Sequence, residues 1–258
     1  IRDSQQTDCN ITDTVQIMSG DIQRKAHDEA NAALVQRLCE LSGPVIDWLC
    51  ERHHLNLTLV EGFLYPGHSV PRMHAPPTRA GADLMADLSR AVAVADIPVM
   101  TQAHVTDLYA DTHGGVTGTR IERPDGGVEY IGCEVLILAC NGFGGNADMV
   151  QTHIPDMADA LYFGHQGNQG DAIVWGQALG AETRHLGSYQ GHGSVAQPHG
   201  ILISWALMMQ GGLQINCDGK RFSNEHQGYS EQARRVIAQP GGTVWNLFDG
   251  RLLHLGRG

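Results

Sequence analysis

The run Glu134-Val-Leu-Ile-Leu-Ala-Cys-Asn-Gly-Phe-Gly-Gly-Asn146 constrains this chain more than any other stretch. An apolar segment rich in branched side chains ends abruptly in a glycine-rich turn, and helix-compatible sequence follows. A buried parallel strand of an α/β sheet delivers its carboxyl end to a ligand in this way. Glycine matters there because, without a Cβ, the backbone can touch a planar or phosphorylated group. The pattern predicts a buried strand over Val135–Ala139. It places Ala139, Cys140, Asn141 and Gly142 against a nucleotide cofactor, read here as a flavin. Asn141 can take the left-handed conformation such a turn needs.

Charge narrows the partners. There are 17 Lys and Arg against 28 Asp and Glu, a net charge of −11, and no basic stripe, which argues against nucleic acid. Low charge (17%) with 32 glycines suits extensive backbone contact with a ligand. At 258 residues there is room for one large or two modest domains. Six cysteines without a C-x-x-C pair read as buried structural thiols in a reducing cytoplasm rather than zinc ligands or disulfides. Fourteen histidines lack metal-ligand spacing, so no metal site is expected. No apolar run approaches the roughly 18 residues of a membrane span, and no signal peptide is expected at the start.

Periodicity predicts a helix over residues 21–40, a break at Ser42-Gly43-Pro44 with Ser42 as N-cap, and a second short helix through Val45, Ile46, Trp48 and Leu49. A strand is expected within Leu55–Val60. Residues 62–81 read as a proline-stiffened loop, either simply solvated or presenting Arg72, His74 and Arg79 to an anionic ligand. A helix over Gly81–Ala95 follows. Strands over Val99–Ala110, Val116–Arg123 and Val128–Ile131, joined by Gly114-Gly115 and Pro124-Asp-Gly-Gly127, form an antiparallel meander. Beyond Asn146, helices are expected over Ala147–His153, Asp171–Leu179 (capped at Gly180) and Ser230–Ala238. A strand is expected over Leu213–Asn216, and residues 201–209 are ambiguous.

Three segments in this order resemble one family: Val135–Asn146, Gly167–Glu182 (GNQGDAIVWGQALGAE) and Ile215–Glu225 (INCDGKRFSNE). They are similar to the flavoprotein fumarate reductases and succinate dehydrogenases, with relatives acting on ketosteroids, urocanate and tricarballylate. The resemblance implies FAD as cofactor and an α/β plus α+β fold. Residues 1–147 would be part of an FAD-binding Rossmann-like domain with its β-meander. Residues 148–258 would belong to a cap domain of the fumarate reductase flavoprotein type. Members of the family begin with a G-x-G-x-x-G turn holding the FAD pyrophosphate. None precedes residue 135 here, so the chain is expected to be an internal piece of an enzyme of about twice the length.

The resemblance also implies roles for residues. Val105, in His104-Val-Thr-Asp-Leu108, matches a position whose backbone pairs with adenine. Asp171 matches a carboxylate near the flavin, and helix N-capping explains the same residue. Ala139-Cys-Asn-Gly142 stands where the family carries A-T-G-G. Gln190-Gly-His192 matches a substrate-binding Q-x-H. Ser204 and Trp205 fall on a Thr-Glu pair that binds substrate and passes a proton in fumarate reductases; the hydroxyl is kept and the carboxylate lost. Tyr229 falls where those enzymes place a proton-donating Arg. Ketosteroid dehydrogenases instead carry N-E followed shortly by a tyrosine. Tyrosine exchanges a proton but has no positive charge to meet a developing carbanion.

Together these readings imply a fragment of an FAD-dependent oxidoreductase acting on a C–C bond of a small organic acid or steroid-like substrate. Hydride would pass to or from the flavin, with Tyr229, His192 and Ser204 as the catalytic set. The electron donor or acceptor is left open. By itself the fragment is expected to be inactive. The alternative is a non-catalytic scaffold that binds no flavin.

Overall fold

A computed structural model describes residues 3–62 and 64–255. Phe63, within the loop expected over 62–81, lies outside the described residues, as do the two terminal stretches. The chain divides into two units, Ile1–Val99 and Met100–Gly258.

The first unit contains helices α1 (Ser4–Asp8), α2 (Val15–Lys25), α3 (Ala32–His53) and α4 (Gly81–Val94), with a short antiparallel ribbon of β1 (Thr58–Leu59) and β2 (His74–Ala75). Its core is small: Val15, Val35 and Cys39 are buried, with Met18, Ile22 and Ala30 packed on them. The helix expected over residues 21–40 is split: residues 21–25 end α2 and 26–31 are not helical, while 32–40 run through Ser42-Gly43-Pro44 into the second expected helix as one continuous α3. Pro44 is exposed while Gly43 is buried, and the helix continues through the proline on its outer side. Ser42 does not cap; its hydroxyl donates to the Cys39 carbonyl at 3.3 Å. Along α3 the residues Leu34, Leu38, Leu41, Val45 and Trp48, spaced by three and four, are exposed.

Arg72 corrects both readings of the proline-rich loop. Its guanidinium is buried between Asp13 (Nε–Oδ2 2.5 Å) and Asp21 (Nη1–Oδ2 2.6 Å). Ser69 also donates to Asp21, from its hydroxyl at 2.5 Å and its N–H at 2.8 Å. His74 is buried against Asp3 at 3.3 Å. Neither the Arg72 cation nor the His74 ring is offered to solvent: Arg72 ties the loop to Asp13 and Asp21, and His74 Nε2 is buried beside Asp3 without a hydrogen bond among the described residues.

The second unit opens with the expected meander, β3 (His104–Ala110), β4 (Val116–Glu122) and β5 (Val128–Gly132), in sheet order β3-β4-β5. The next expectation fails. Residues 133–140 form no strand, and Val135 and Ile137 are 78% and 83% exposed. A strand needs a neighbour for its N–H and C=O groups, and none of the described strands pairs with this segment.

The elements beyond it are α5 (Ala147–His153), α6 (Asp171–Ala178), the β6 (Val195–Ala196) and β7 (Ile201–Leu202) ribbon, α7 (Ala206–Met209), β8 (Leu213–Ile215), α8 (Tyr229–Ile237), β9 (Trp245–Leu247) and α9 (Gly250–Leu255). Strands β8 and β9 pair antiparallel. Trp205, Leu207, Met208 and Leu252 form the buried cluster of this unit, with Tyr229 packed against it. The fold is mixed α/β with small antiparallel sheets. None of the six cysteines is in a disulfide. Cys39 is buried, but Cys9 and Cys217 are exposed, against the expectation of buried thiols. No helix among the described residues is long and apolar enough to cross a membrane.

Burial alone would push the Asp21 carboxyl up, but hydrogen bonds from Ser69, Arg72 and Arg24 hold it well below the usual carboxylate range. The stability this supplies is present above the ordinary Asp value of ~3.9 and is lost as pH falls toward the folded value. Arg72→Met leaves buried Asp13 without its cation and Asp21 with Arg24 alone, and should cost about 3–5 kcal/mol. Urea unfolding of the two proteins checks this; equal midpoints would refute the role given to Arg72.

Candidate active site

Two of the sequence segments singled out above meet in space. Gly145 donates its N–H to the Asn168 carbonyl at 2.9 Å. Asn146 donates its side-chain amide to the Gln169 carbonyl at 3.1 Å, and Gln169 returns one to the Gly145 carbonyl at 3.0 Å. The Asn146 side chain also caps α5 by accepting from the Met149 N–H. Gly170, at φ +87°, precedes α6; a Cβ there would come within 2.6 Å of Met149 Sδ and 2.9 Å of Phe143 Cβ. Phe143 is buried beneath the bend. The turn is thus fixed from below by backbone contacts only glycine permits.

Above Phe143 the bend is open. Asn141 has φ 63°, the left-handed conformation expected of it, and its Oδ1 accepts from the Gly142 N–H at 2.8 Å. Ala139 and Asn141 are exposed, Cys140 is half-buried, and a Cβ on Gly142 would meet nothing within 4 Å. A planar ring has room beside this main chain. Val105 lies on edge strand β3, paired with Ile121, at an irregularity in register before Asp107. An edge strand leaves half its backbone groups unpaired, which is what a base needs to hydrogen-bond there. Asp171 is the first residue of α6 and Gly170 its N-cap, so the carboxylate complements the helix N-terminus without capping it.

The cap-side residues form an aromatic cluster. His192 stacks on Tyr229, with ring centroids 5.6 Å apart at 24°, and meets Trp205 edge-on at 5.7 Å. Gln190 donates to the Tyr229 hydroxyl at 3.0 Å. Trp205 is 4% exposed, and its Nε1 and His192 Nδ1 are both buried without a hydrogen-bond partner. Burial lowers the His192 pKa, partly opposed by a backbone interaction with Ser194. Burial therefore favours the neutral ring. The loop that carries it lies flat on α8. A Cβ on Gly191 would come within 2.6 Å of the Ala233 Cβ, and Ser230 donates to the Gly191 carbonyl at 3.2 Å.

Ser204 is exposed, and its Oγ accepts from the Ala206 N–H at 3.4 Å. Among the described residues no hydrogen bond joins it to His192 or Tyr229. Arg234 pairs with Asp156 and Arg235 with Gln227, so neither turns back to stand in for a cation beside Tyr229. Within the third segment, Asn216 Oδ1 accepts from the N–H groups of Asp218 and Lys220, closing the turn at Gly219. Glu225 is completely buried; it accepts from the Gln214 N–H at 2.8 Å and from Arg221 Nη2 at 2.6 Å. Burial pushes its pKa up, and these donors outweigh burial to leave it lowered. Sequence reasoning missed Gln214 and Gln232, both essentially fully buried. A glutamine between two apolar neighbours, as in Leu213-Gln-Ile215, was the available signal. No group of three or more His, Cys, Asp or Glu among the described residues could hold a metal ion.

The FAD binding domain family matches residues 3–250. A probable fumarate reductase of Shewanella frigidimarina is 26% identical over 250 residues, covering 96% of this chain and 42% of that protein. The chain thus spans well under half the length of that relative. The open conformation of a flavocytochrome c3 fumarate reductase superposes with a TM-score of 0.84 at 25% identity, over 100% of this chain and 45% of that one. A 3-ketosteroid-Δ4-(5α)-dehydrogenase from Rhodococcus jostii RHA1 shares the fold, with a TM-score of 0.76 at 18% identity over 98% of this chain and 57% of that one.

Gly191→Ala forces the loop off α8. We expect it to cost about 1–3 kcal/mol, the usual range for overpacking, and to weaken the near-ultraviolet circular dichroism of the aromatic cluster. A variant with unchanged stability and spectrum would show that the loop is not seated as described.

Proposed function

The chain belongs to the FAD-binding domain family, with FAD as its cofactor, and on that premise we propose that it is part of a flavin-dependent oxidoreductase acting on a C–C bond of a small organic acid or steroid-like substrate. FAD, when bound, supplies the hydride chemistry. Residues 1–147 contribute to its Rossmann-like domain and 148–258 to a cap domain. The backbone of Val105 receives the adenine. Main chain from Ala139 to Gly142 lies along the flavin, with Asp171 nearby. The substrate is a small molecule, the redox partner is left open, and the setting is cytoplasmic.

The observation that carries this reading is the His192–Tyr229 stack with Gln190 on the tyrosine hydroxyl. Tyr229 Oη moves the proton that accompanies hydride transfer, as a general acid or base. The Gln190 amide fixes the direction of that hydroxyl. His192, neutral and rigidly stacked, orients a substrate oxygen through a ring nitrogen, and the exposed Ser204 hydroxyl assists once substrate is bound. Aromatic rings occupy positions where dicarboxylate reduction needs charge, at Trp205 and Tyr229, so a neutral or weakly charged substrate fits better than fumarate. The exposure of Val135 and Ile137 favours a second reading, that the isolated chain is a scaffold with an unsupported cofactor bend.

Tyr229→Phe in the whole gene product should lower turnover by about 10²–10⁴-fold while flavin stays bound; undiminished turnover removes Tyr229 from the chemistry. The whole gene product should show a flavin spectrum after purification. If it is colourless and takes up no added FAD, the oxidoreductase reading fails. Because the His192 pKa is lowered, the neutral ring persists below ~6.5. Activity that needs it should therefore hold as pH falls through that value and decline only at the lower folded pKa. A pH–rate profile checks this, and a decline centred above ~6.5 would contradict it.

A further inference from the structure

Beneath the His192 loop lies a polar network that neither the fold nor the chemistry above has used. Gln214 on β8 donates from Nε2 to the Gly193 carbonyl at 2.9 Å and to Asn246 Oδ1 at 2.7 Å. Gln232 on α8 donates from Nε2 to Gln214 Oε1 at 2.8 Å. The Ser223 hydroxyl donates to Gln232 Oε1 at 2.8 Å, and Asn246 donates its side-chain amide to the Ser194 hydroxyl. Gly193 also rests on the Gln232 shaft: a Cβ there would meet Cγ at 2.8 Å and Cβ at 2.9 Å. The residue just after His192 is therefore held twice, by its carbonyl through Gln214 and by contact with Gln232.

The contacts close a triangle. Gln232 touches Gly193 with its methylenes and Gln214 with its amide, and Gln214 returns to the Gly193 carbonyl. Such a buried amide pair costs free energy unless every group is satisfied, and here the amides are matched to loop backbone rather than to each other alone. Two leucines would fill the same space without aiming anything. What the amides add is direction, a fixed height and rotation for residues 193–194 and so for the ring one residue earlier.

We infer that Gln214 and Gln232 are positioning residues that hold the His192 ring between Trp205 and Tyr229. The inference rests on the reading of His192 as the group facing substrate. The amides act through the Gly193 carbonyl and touch no substrate. Loss of the Gln214 donor leaves that carbonyl buried and unpaired, and the loop relieves this by rotating it outward, which takes His192 out of the stack.

Imidazole NMR of the 258-residue chain tests this, with His192→Gln identifying the resonances. Gln214→Met keeps the volume and removes the donor. The expected result is that His192 loses the ring-current displacement imposed by Trp205 and Tyr229 while the amide signals of the β3-β4-β5 meander stay in place. Wild-type His192 resonances in the folded variant overturn the inference. Should Gln214→Met fail to fold, Ser223→Ala removes only the outer end of the network. A smaller His192 displacement in the same sense supports the inference, and none overturns it. If His192 moves as expected yet the whole gene product carrying Gln214→Met turns over at the parent rate, positioning stands and the substrate role of His192 falls.

Discussion

A carboxylate cannot stay charged inside a protein unless donors surround it, and much of the second unit is arranged around that requirement at Glu225. Its oxygens receive Arg221 from the hairpin turn and the Gln214 N–H from β8. The residues after it must then leave through a 3₁₀ turn into α8, whose first residue is Tyr229. Fixing one carboxylate therefore fixes where the helix begins, and with it the tyrosine, the ring stacked on that tyrosine, and the loop seated on the helix. The Asn224-Glu225 pair reads in sequence as part of a family signature; in space it is the anchor that gives Tyr229 its address.

The first unit solves the same problem with opposite geometry. There Arg72 bridges two carboxylates, with Arg24 added on Asp21, and Arg72 comes from a loop 51 and 59 residues away from Asp21 and Asp13. Sequence could not reveal that, because proline and basic residues on a loop look alike whether the charge is solvated or buried. The separation along the chain is what hides it.

Local signals read well. The meander was legible because glycine pairs and Pro-Asp-Gly-Gly turns mark where a strand must reverse. Helices Ala147–His153 and Asp171–Ala178 were legible from their flanking Asn and Gly. Pro44 misled because the cost of a helical proline depends on which side faces water, a property of packing. The segment after Glu134 misled for a related reason: apolar, β-prone sequence states a preference, but a strand exists only where a second strand accepts it. Of the candidate site, the aromatic neighbours His192 and Tyr229 were legible one at a time, 37 residues apart in sequence. Their stacking was not, nor was the buried glutamine pair beneath them, whose members are 18 residues apart.

The contact between Gly170 and Phe143 has a consequence for how this protein can change over generations. With so little clearance between position 170 and both the Phe143 Cβ and the Met149 sulfur, a lineage that gains a side chain at 170 must shift the backbone at 143 as well as the methionine at 149. Intermediates that alter one alone would lift the loop from the bend and disturb whatever rests on its open side. Drift at these sites should be concerted, and a divergent relative that keeps this turn is expected to keep the bare backbone at 170.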